Sequence, residues 1–330
     1  MTEFPPRLSS KESVIPVSRH RVVKLLRLAS VLVLSIGVLA ACGEESGSAE
    51  DTVRGLSSVS VSGDFGSSPE VDWDGRLNVT KIESEVLIEG DGPEIKEGDE
   101  VLTHLWIGNG FSQSVAYDSF TSQAQPVPVT KDTTKPLLAA LEGQAVGSRV
   151  LVTASAKDAF GEQGNPQLGI GNLDTVLFVV DSLDIVRDKP SGTETALPAG
   201  LPRLIEKDGV ITGWDFSSAD APDGKLQVVP LITGDGPKVT KDSTIVTRYL
   251  GQVFKAKKPF DEAYSKPDPA TFNIIGLVKG WQQGLVGVPA GSRIVIVVPP
   301  ALGYGASGNE SAGIKATDTL YFVLDVLATS

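Results

Sequence analysis

The sequence predicts an α+β protein built as two tandem domains, each a largely antiparallel sheet with one short helix. Three observations carry this. First, Ile294 to Val298 are five consecutive β-branched residues, and Leu320 to Leu327 form a second apolar run, the pattern of strands buried on both faces. Second, Val278 to Leu285 is the only convincing helix nearby, with Val278 and Leu285 on the same face as Trp281. One short helix against several strands is an α+β arrangement. Third, the chain matches itself at an offset of 144 residues, since Gly90-Asp91-Gly92-Pro93 falls on Gly234-Asp235-Gly236-Pro237 (234 − 90 = 144).

The offset holds across about a hundred residues, which marks a duplication rather than a solenoid. Gly147-Ser148-Arg149 falls on Gly291-Ser292-Arg293, Gly161 and Gly164 on Gly305 and Gly308, and Phe178-Val179 on Phe322-Val323. The expected boundaries are a first domain over 71–187, a linker over 188–200 rich in Pro and Gly, and a second domain over 201–330. Within each copy a strand leads to the Gly-Asp-Gly-Pro turn, and another follows: Glu100 to Ile107 in the first copy, Thr244 to Gly251 in the second.

The chain has 330 residues, with Gly 35 and Pro 21 against few aromatics, which favours short strands and many turns. Its one cysteine, Cys42, excludes an internal disulfide. With two histidines besides, His20 and His104, a metal site is not expected, and neither is a cofactor, because phosphate-loop and dinucleotide fingerprints are missing. Arg19, Arg21, Lys24 and Arg27 precede an uncharged run from Leu28 to Ala41, a basic region followed by a signal-peptide core. The stretch Leu39-Ala40-Ala41-Cys42-Gly43 resembles the signal of bacterial lipoproteins. That resemblance implies removal of residues 1–41, lipidation of Cys42 and an extracytoplasmic protein held on the bacterial cell membrane by its lipid. Residues 42–70, small, polar and acidic, read as a flexible tether, with a short strand at Val59-Ser60-Val61 as a weaker alternative. Without residues 1–41 the chain keeps 23 basic residues (29 − 6) and 39 acidic ones (41 − 2), a net charge of −16. Such a surface repels nucleic acid, so nucleic-acid binding is not expected.

Four motifs in order carry a family resemblance: Val278-Lys279-Gly280-Trp281-Gln282-Gln283-Gly284; Gly291 through Pro299-Pro300; Tyr304-Gly305-Ala306-Ser307-Gly308; and Thr319 through Leu327. Together they resemble the FKBP-type peptidyl-prolyl cis/trans isomerases over roughly Leu226 to Ser330. The last motif matches less strictly, with Leu324 and Val326 out of phase with the family's alternation. The resemblance implies a twisted antiparallel sheet curled around one short helix in each domain. It implies an isomerase that acts on proline-containing polypeptides and assists folding of secreted or envelope proteins. It also implies that macrolide immunosuppressants bind in the same pocket.

Carried over residue by residue, the resemblance makes Trp281 the pocket floor and Tyr249, Phe260, Leu277, Val278, Ile314 and Phe322 its walls. Tyr304 is the hydroxyl donor, Asp261 the carboxylate beside the reacting amide, and the Val278 N–H a second donor. Read alone, Trp281, Tyr249, Phe260 and Phe322 are equally core residues, Tyr304 a core tyrosine with a satisfied hydroxyl, and Asp261 a solvated charge. The family's aromatic in the preceding strand falls on Ala270, with Phe272 two residues on.

The chemistry suits such residues. Rotating a peptide bond means breaking amide resonance, against about 18–20 kcal/mol. No bond breaks and no proton need move, so a dry pocket and well-placed donors suffice. In the first copy Tyr249 becomes Leu105, Trp281 becomes Leu137 and Tyr304 becomes Phe160, while Tyr117-Asp118 resembles Phe260-Asp261 with a one-residue shift. Activity is therefore expected in the C-terminal domain, with little in the first. His104 is assigned no role. The competing reading is a non-catalytic peptide-binding chaperone or envelope assembly module. A transporter's substrate-binding lipoprotein is a weak third, because two sheet domains in tandem give no sign of a shared cleft.

Overall fold

The computed structural model describes residues 54–330. The expected signal segment and Cys42 lie outside them.

The first half begins with β1 (Val59–Ser62) and β2 (Glu70–Trp73), followed by β3 (Glu83–Ile88), β4 (Glu100–Asn109), β5 (Ser114–Asp118) and β6 (Gln125–Pro128). Then come α1 (Lys135–Leu141), β7 (Arg149–Ser155), α2 (Ala156–Phe160) and β8 (Thr175–Ile185). The second half runs β9 (Thr193–Glu194), β10 (Arg203–Lys207), β11 (Val210–Asp215), β12 (Gln227–Thr233), β13 (Thr244–Val253), β14 (Asp261–Glu262) and β15 (Ala270–Asn273). It closes with α3 (Lys279–Leu285), β16 (Ser292–Val298) and β17 (Leu320–Thr329).

Two larger sheets result, with antiparallel pairing throughout. One has the order β3-β7-β8-β4-β5 with β6 also on β4; the other has β12-β16-β17-β13-β14, with β15 also on β13 and β9 on the outer edge of β12. The strand order is the same in both. The linker stretch thus contributes Thr193 and Glu194 as an edge pair to Ile232 and Thr233.

The continuous apolar runs are explained by what lies on each face. Side chains alternate along a strand. From β16 and β17, Ile294, Ile296, Val298, Phe322, Leu324 and Val326 pack toward α3, where Trp281 and Leu285 meet them. Val295, Val297, Tyr321 and Val323 point the other way, onto Trp214, Phe216 and Ile211. Leu324 and Val326 thus keep phase with Phe322. The second face is covered by the β10–β11 hairpin, whose two-residue turn Asp208-Gly209 has positive φ at both positions, 53° and 78°. That is the geometry favoured by a tight hairpin, and Asp-Gly is its strongest short sequence signal.

The first sheet has the same cover. Strands β1 and β2 pair as a hairpin, and Val59, Val61, Val71 and Trp73 pack on Trp106, Leu151, Leu177 and Val179. Residues 54–70 are therefore ordered structure rather than open tether, because the apolar alternation at Val59 and Val61 finds a sheet face to cover. The turn of this hairpin is tied down by Arg149. Its guanidinium, 1% exposed, makes a bidentate pair with Asp181 at 2.7 and 2.8 Å and donates to the carbonyls of Gly63 and Ser67. Asp181 in turn accepts from the Gly66 N–H at 2.7 Å. In the second sheet Arg293 pairs with Asp325 in the same cross-strand register and reaches Glu206 of β10 at 3.8 Å.

His104 lies between these elements as a structural residue. Its ring stacks on Phe120 at 4.7 Å, and burial lowers its pKa. The two sheets touch through a small apolar cluster of Leu102, Ala124, Val246, Leu327 and Ala328. The Thr329 N–H donates to the buried Asp184 carboxylate at 3.2 Å, and the Ala124 N–H to the Thr244 hydroxyl at 3.3 Å.

Breaking a buried pair strands a charge, at a cost of about 3–5 kcal/mol, whereas replacing both partners with apolar groups is often close to neutral. Arg149→Met is expected to destabilise by that amount in urea unfolding, and Arg149→Met/Asp181→Leu to recover most of the loss.

Candidate functional site

The site is built on the α3 face of the second sheet. Helix α3 lies close to β16 because Gly280 faces the strand: a Cβ there would meet the Val298 side chain at 2.5 Å. This close approach sets Trp281 against the helix-bearing face of the sheet, where it is 3% exposed.

Around the indole, rings interlock edge to face. Trp281 meets Phe322 at 5.1 Å and 87°, Tyr249 at 5.5 Å and 84°, and Phe272 at 6.1 Å and 85°. Phe260 meets Phe322 at 5.7 Å and 87°. Such T-shaped pairs are favoured by the ring quadrupole and add about 0.5–1.5 kcal/mol each beyond burial. Gly251 makes room for the last pair, since a Cβ there would sit 2.5 Å from Phe260 and 2.6 Å from Phe322. Ile314 is buried in the same cluster, with Leu277, Val278, Leu302, Tyr304 and Ala270 half-buried at its edge.

All nine expected positions, Tyr249, Phe260, Asp261, Leu277, Val278, Trp281, Tyr304, Ile314 and Phe322, thus fall in or beside one assembly. Phe272 belongs to it as well. The aromatic expected at Ala270 is supplied by Phe272, two residues along the same strand and on the same face. Leu302 joins from the turn after β16, with only the preceding Pro299-Pro300 as a sequence signal.

The polar groups gather at the rim. Asp261 is exposed, and one of its oxygens accepts from the Tyr249 hydroxyl at 2.5 Å. The Tyr249 pKa is raised strongly, by burial first, then by the hydrogen bond to Asp261, then by the charges of Asp261, Glu262 and Tyr304. The phenol therefore stays a neutral donor, holding the carboxylate in place. Tyr304 lies in the loop after β16, half-buried. The Trp281 indole N–H is buried with no acceptor among the described residues. Leaving such a donor unpaired costs about 1–3 kcal/mol.

The arrangement offers interlocked aromatic rings with apolar neighbours, and a carboxylate and a phenol at the edge. The profile of the FKBP-type peptidyl-prolyl cis-trans isomerases matches residues 236–327. The FK506-binding protein of Streptomyces anulatus is 31% identical over 126 residues, covering 38% of this chain and 98% of that protein. The chain belongs to the FKBP-type peptidyl-prolyl cis-trans isomerase family. The isomerase FkpA of Escherichia coli strain K12 is 36% identical over 101 residues, which is 31% of this chain. The chain spans only 36% of the length of that relative. The crystal structure of E. coli FkpA aligns with 30% identity and a TM-score of 0.30, covering 34% of this chain and 51% of that one.

In the first sheet the positions 144 residues earlier also gather on the helix-bearing face. Leu105, Tyr117, Leu137, Phe160, Ile170 and Phe178 share one cluster, and Phe160 and Phe178 lie 6.3 Å apart, tilted at 36°. Asp118 there accepts from the Ser68 hydroxyl and the Phe120 N–H.

The pH dependence of the Tyr249–Asp261 link has a definite sign. Because the folded pKa is raised, its contribution to stability is full below the ordinary value of 10.0 and is lost as pH rises through the folded value. Ultraviolet titration is expected to show late-ionising tyrosines, the buried Tyr264 among them, of which Tyr249→Phe removes one. Asp261→Asn should move that transition back toward lower pH.

Proposed function

We propose that the chain is a peptidyl-prolyl cis/trans isomerase whose activity resides in the second sheet. The observation that carries this is the Trp281-centred aromatic assembly with Asp261 and Tyr304 at its rim. Family membership supports it. The substrate is a proline-containing polypeptide. Its proline ring rests on Trp281, walled by Phe260, Phe272, Leu277, Ile314 and Phe322. The Tyr304 hydroxyl and the Val278 N–H donate to flanking carbonyls and fix the chain across the site.

Catalysis consists of favouring the twisted amide. Twisting withdraws charge from the carbonyl oxygen and weakens its hydration, so an apolar wall costs the twisted form less than the planar one. Asp261, oriented by Tyr249, faces the reacting amide and stabilises the dipole that changes as resonance is lost. The macrolide immunosuppressants expected from the family would compete for the same floor; the name of the S. anulatus relative supports this.

In the cell we place the protein outside the cytoplasm, lipid-anchored through Cys42, assisting the folding of secreted or envelope proteins. The apolar run before Cys42 supports this. We read the two sheets as tandem FKBP-like domains from one duplication; their shared strand order and the 144-residue offset support that. The first-sheet cluster keeps apolar walls but has Leu137 and Phe160 in place of the indole and phenol. This favours a second reading for that half, a non-catalytic peptide-binding chaperone or assembly module.

The test is isomerisation of a proline peptide by protease-free NMR exchange, using the full chain. Trp281→Leu, which copies the first sheet, and Asp261→Val are each expected to slow it about tenfold or more, and Tyr304→Phe about two- to tenfold. Tyr117→Phe in the first sheet should leave the rate within about twofold. Peptide binding without acceleration, or full activity in Asp261→Val and Tyr304→Phe, would give the function over to peptide binding alone.

A further inference from the structure

The loop from β13 to β14 reads Phe254-Lys255-Ala256-Lys257-Lys258-Pro259-Phe260 and leads directly into the site. It places three lysines within four positions on a chain whose net charge is −12. All three are exposed. None pairs with a carboxylate among the described residues, whereas Lys241 and Lys266 do.

The loop is pinned rather than loose. The Phe254 N–H donates to the Thr319 carbonyl at 3.0 Å, the Phe260 N–H to Gly251 at 2.9 Å, and the Gln252 amide to the Ala256 carbonyl at 2.7 Å. Lys255 stacks over Phe254 at 5.1 Å, on the side of the sheet covered by β10 and β11, whereas Lys257 and Lys258 directly precede Pro259 and Phe260, whose ring is part of the aromatic assembly.

The carboxylates beside them already have donors. Asp261 takes the Tyr249 hydroxyl and the Glu262 N–H, and Glu262 takes the N–H and hydroxyl of Ser265. Both carboxylates keep their negative charge, and Lys257 and Lys258 are the exposed cations beside them with no carboxylate partner among the described residues. The corresponding loop of the first sheet, Phe111-Ser112-Gln113-Ser114-Val115-Ala116, has no charge at all.

We propose that this lysine loop selects proline peptides bearing acidic side chains close to the proline. The inference rests on the isomerase reading of the same site and names its substrate class. Charges on the rim act within a screening length of about 8 Å at physiological salt, so only residues within two or three positions of the proline are sensed. Each exposed pair is worth a few-fold at most, so attraction of Glu and repulsion of Lys by Lys257 and Lys258 together come to about tenfold.

The test uses the full chain and three peptides built around Leu-Pro-Phe, flanked by pairs of Glu, Ala or Lys before or after that core. Catalysed exchange is measured by NMR at low and high salt. The expected result is a kcat/KM about tenfold higher for the Glu than for the Lys peptide at low salt, shrinking at high salt. In Lys257→Glu/Lys258→Glu that ratio should fall to one or invert; both side chains are exposed, so the variant is expected to fold. A ratio near one in the unaltered protein, or a ratio the double variant does not change, overturns the proposal. If the Ala peptide is not accelerated either, the isomerase reading fails. The dissociation constants of the same peptides, read from chemical shifts in the same samples, then judge the lysine loop by the same ratio.

Discussion

The structure is organised around two cross-strand ion pairs, the buried Arg149–Asp181 in the first sheet and the half-buried Arg293–Asp325 in the second. A guanidinium on a sheet face cannot be left in an apolar environment with open donors. In the first sheet, Arg149 satisfies them with Asp181 and with the Gly63 and Ser67 carbonyls of the covering hairpin. The ion pair thus requires the hairpin and also fixes where it sits. Once that face is covered, the central strands are buried on both sides and can be apolar at every position. The rigid sheet that results is the platform for everything on the opposite face.

The opposite face of the second sheet carries the aromatic assembly on that platform. Alternation along β17 aims Phe322, Leu324 and Val326 at the helix, and the missing side chains of Gly280 and Gly251 set how closely helix and rings approach. The rings brace one another edge to face, so no single wall can shift without its neighbours. Polar groups are confined to the edge, where Tyr249 links the buried assembly to the exposed Asp261. Electrostatic character therefore belongs to the rim and shape to the interior.

The two sheets share strand order, cross-strand register and ion-pair placement, yet the side chains on their helix-bearing faces differ. Indole and phenols on one side correspond to Leu137, Leu105 and Phe160 on the other. Each swap keeps the position apolar, so the sheet's core is preserved while the donors and the large flat floor are lost. Stability needs only burial at these positions, whereas the chemistry at the rim needs particular atoms.

The sequence by itself determined the α+β class, the strands at Ile294–Val298 and Leu320–Leu327, the short Trp-bearing helix and the internal repeat. These rest on local periodicity, on turn chemistry and on identities at fixed spacing. The family motifs also named the site's principal rings. The β10–β11 hairpin was legible in principle, through Asp208-Gly209 between apolar runs, and the constant spacing of Asp181 and Asp325 carried a trace of the ion pairs. What only the tertiary structure decided were the long-range choices. Residues 54–70, small and polar in composition, become a sheet cover because Arg149, more than 80 residues away, offers them hydrogen bonds (149 − 63 = 86). Phe272 replaces Ala270 in the ring assembly because the strand's face, not the motif's register, points it at Trp281. Composition records what a segment can bury, but the partner that makes burial worthwhile is fixed only when distant strands meet.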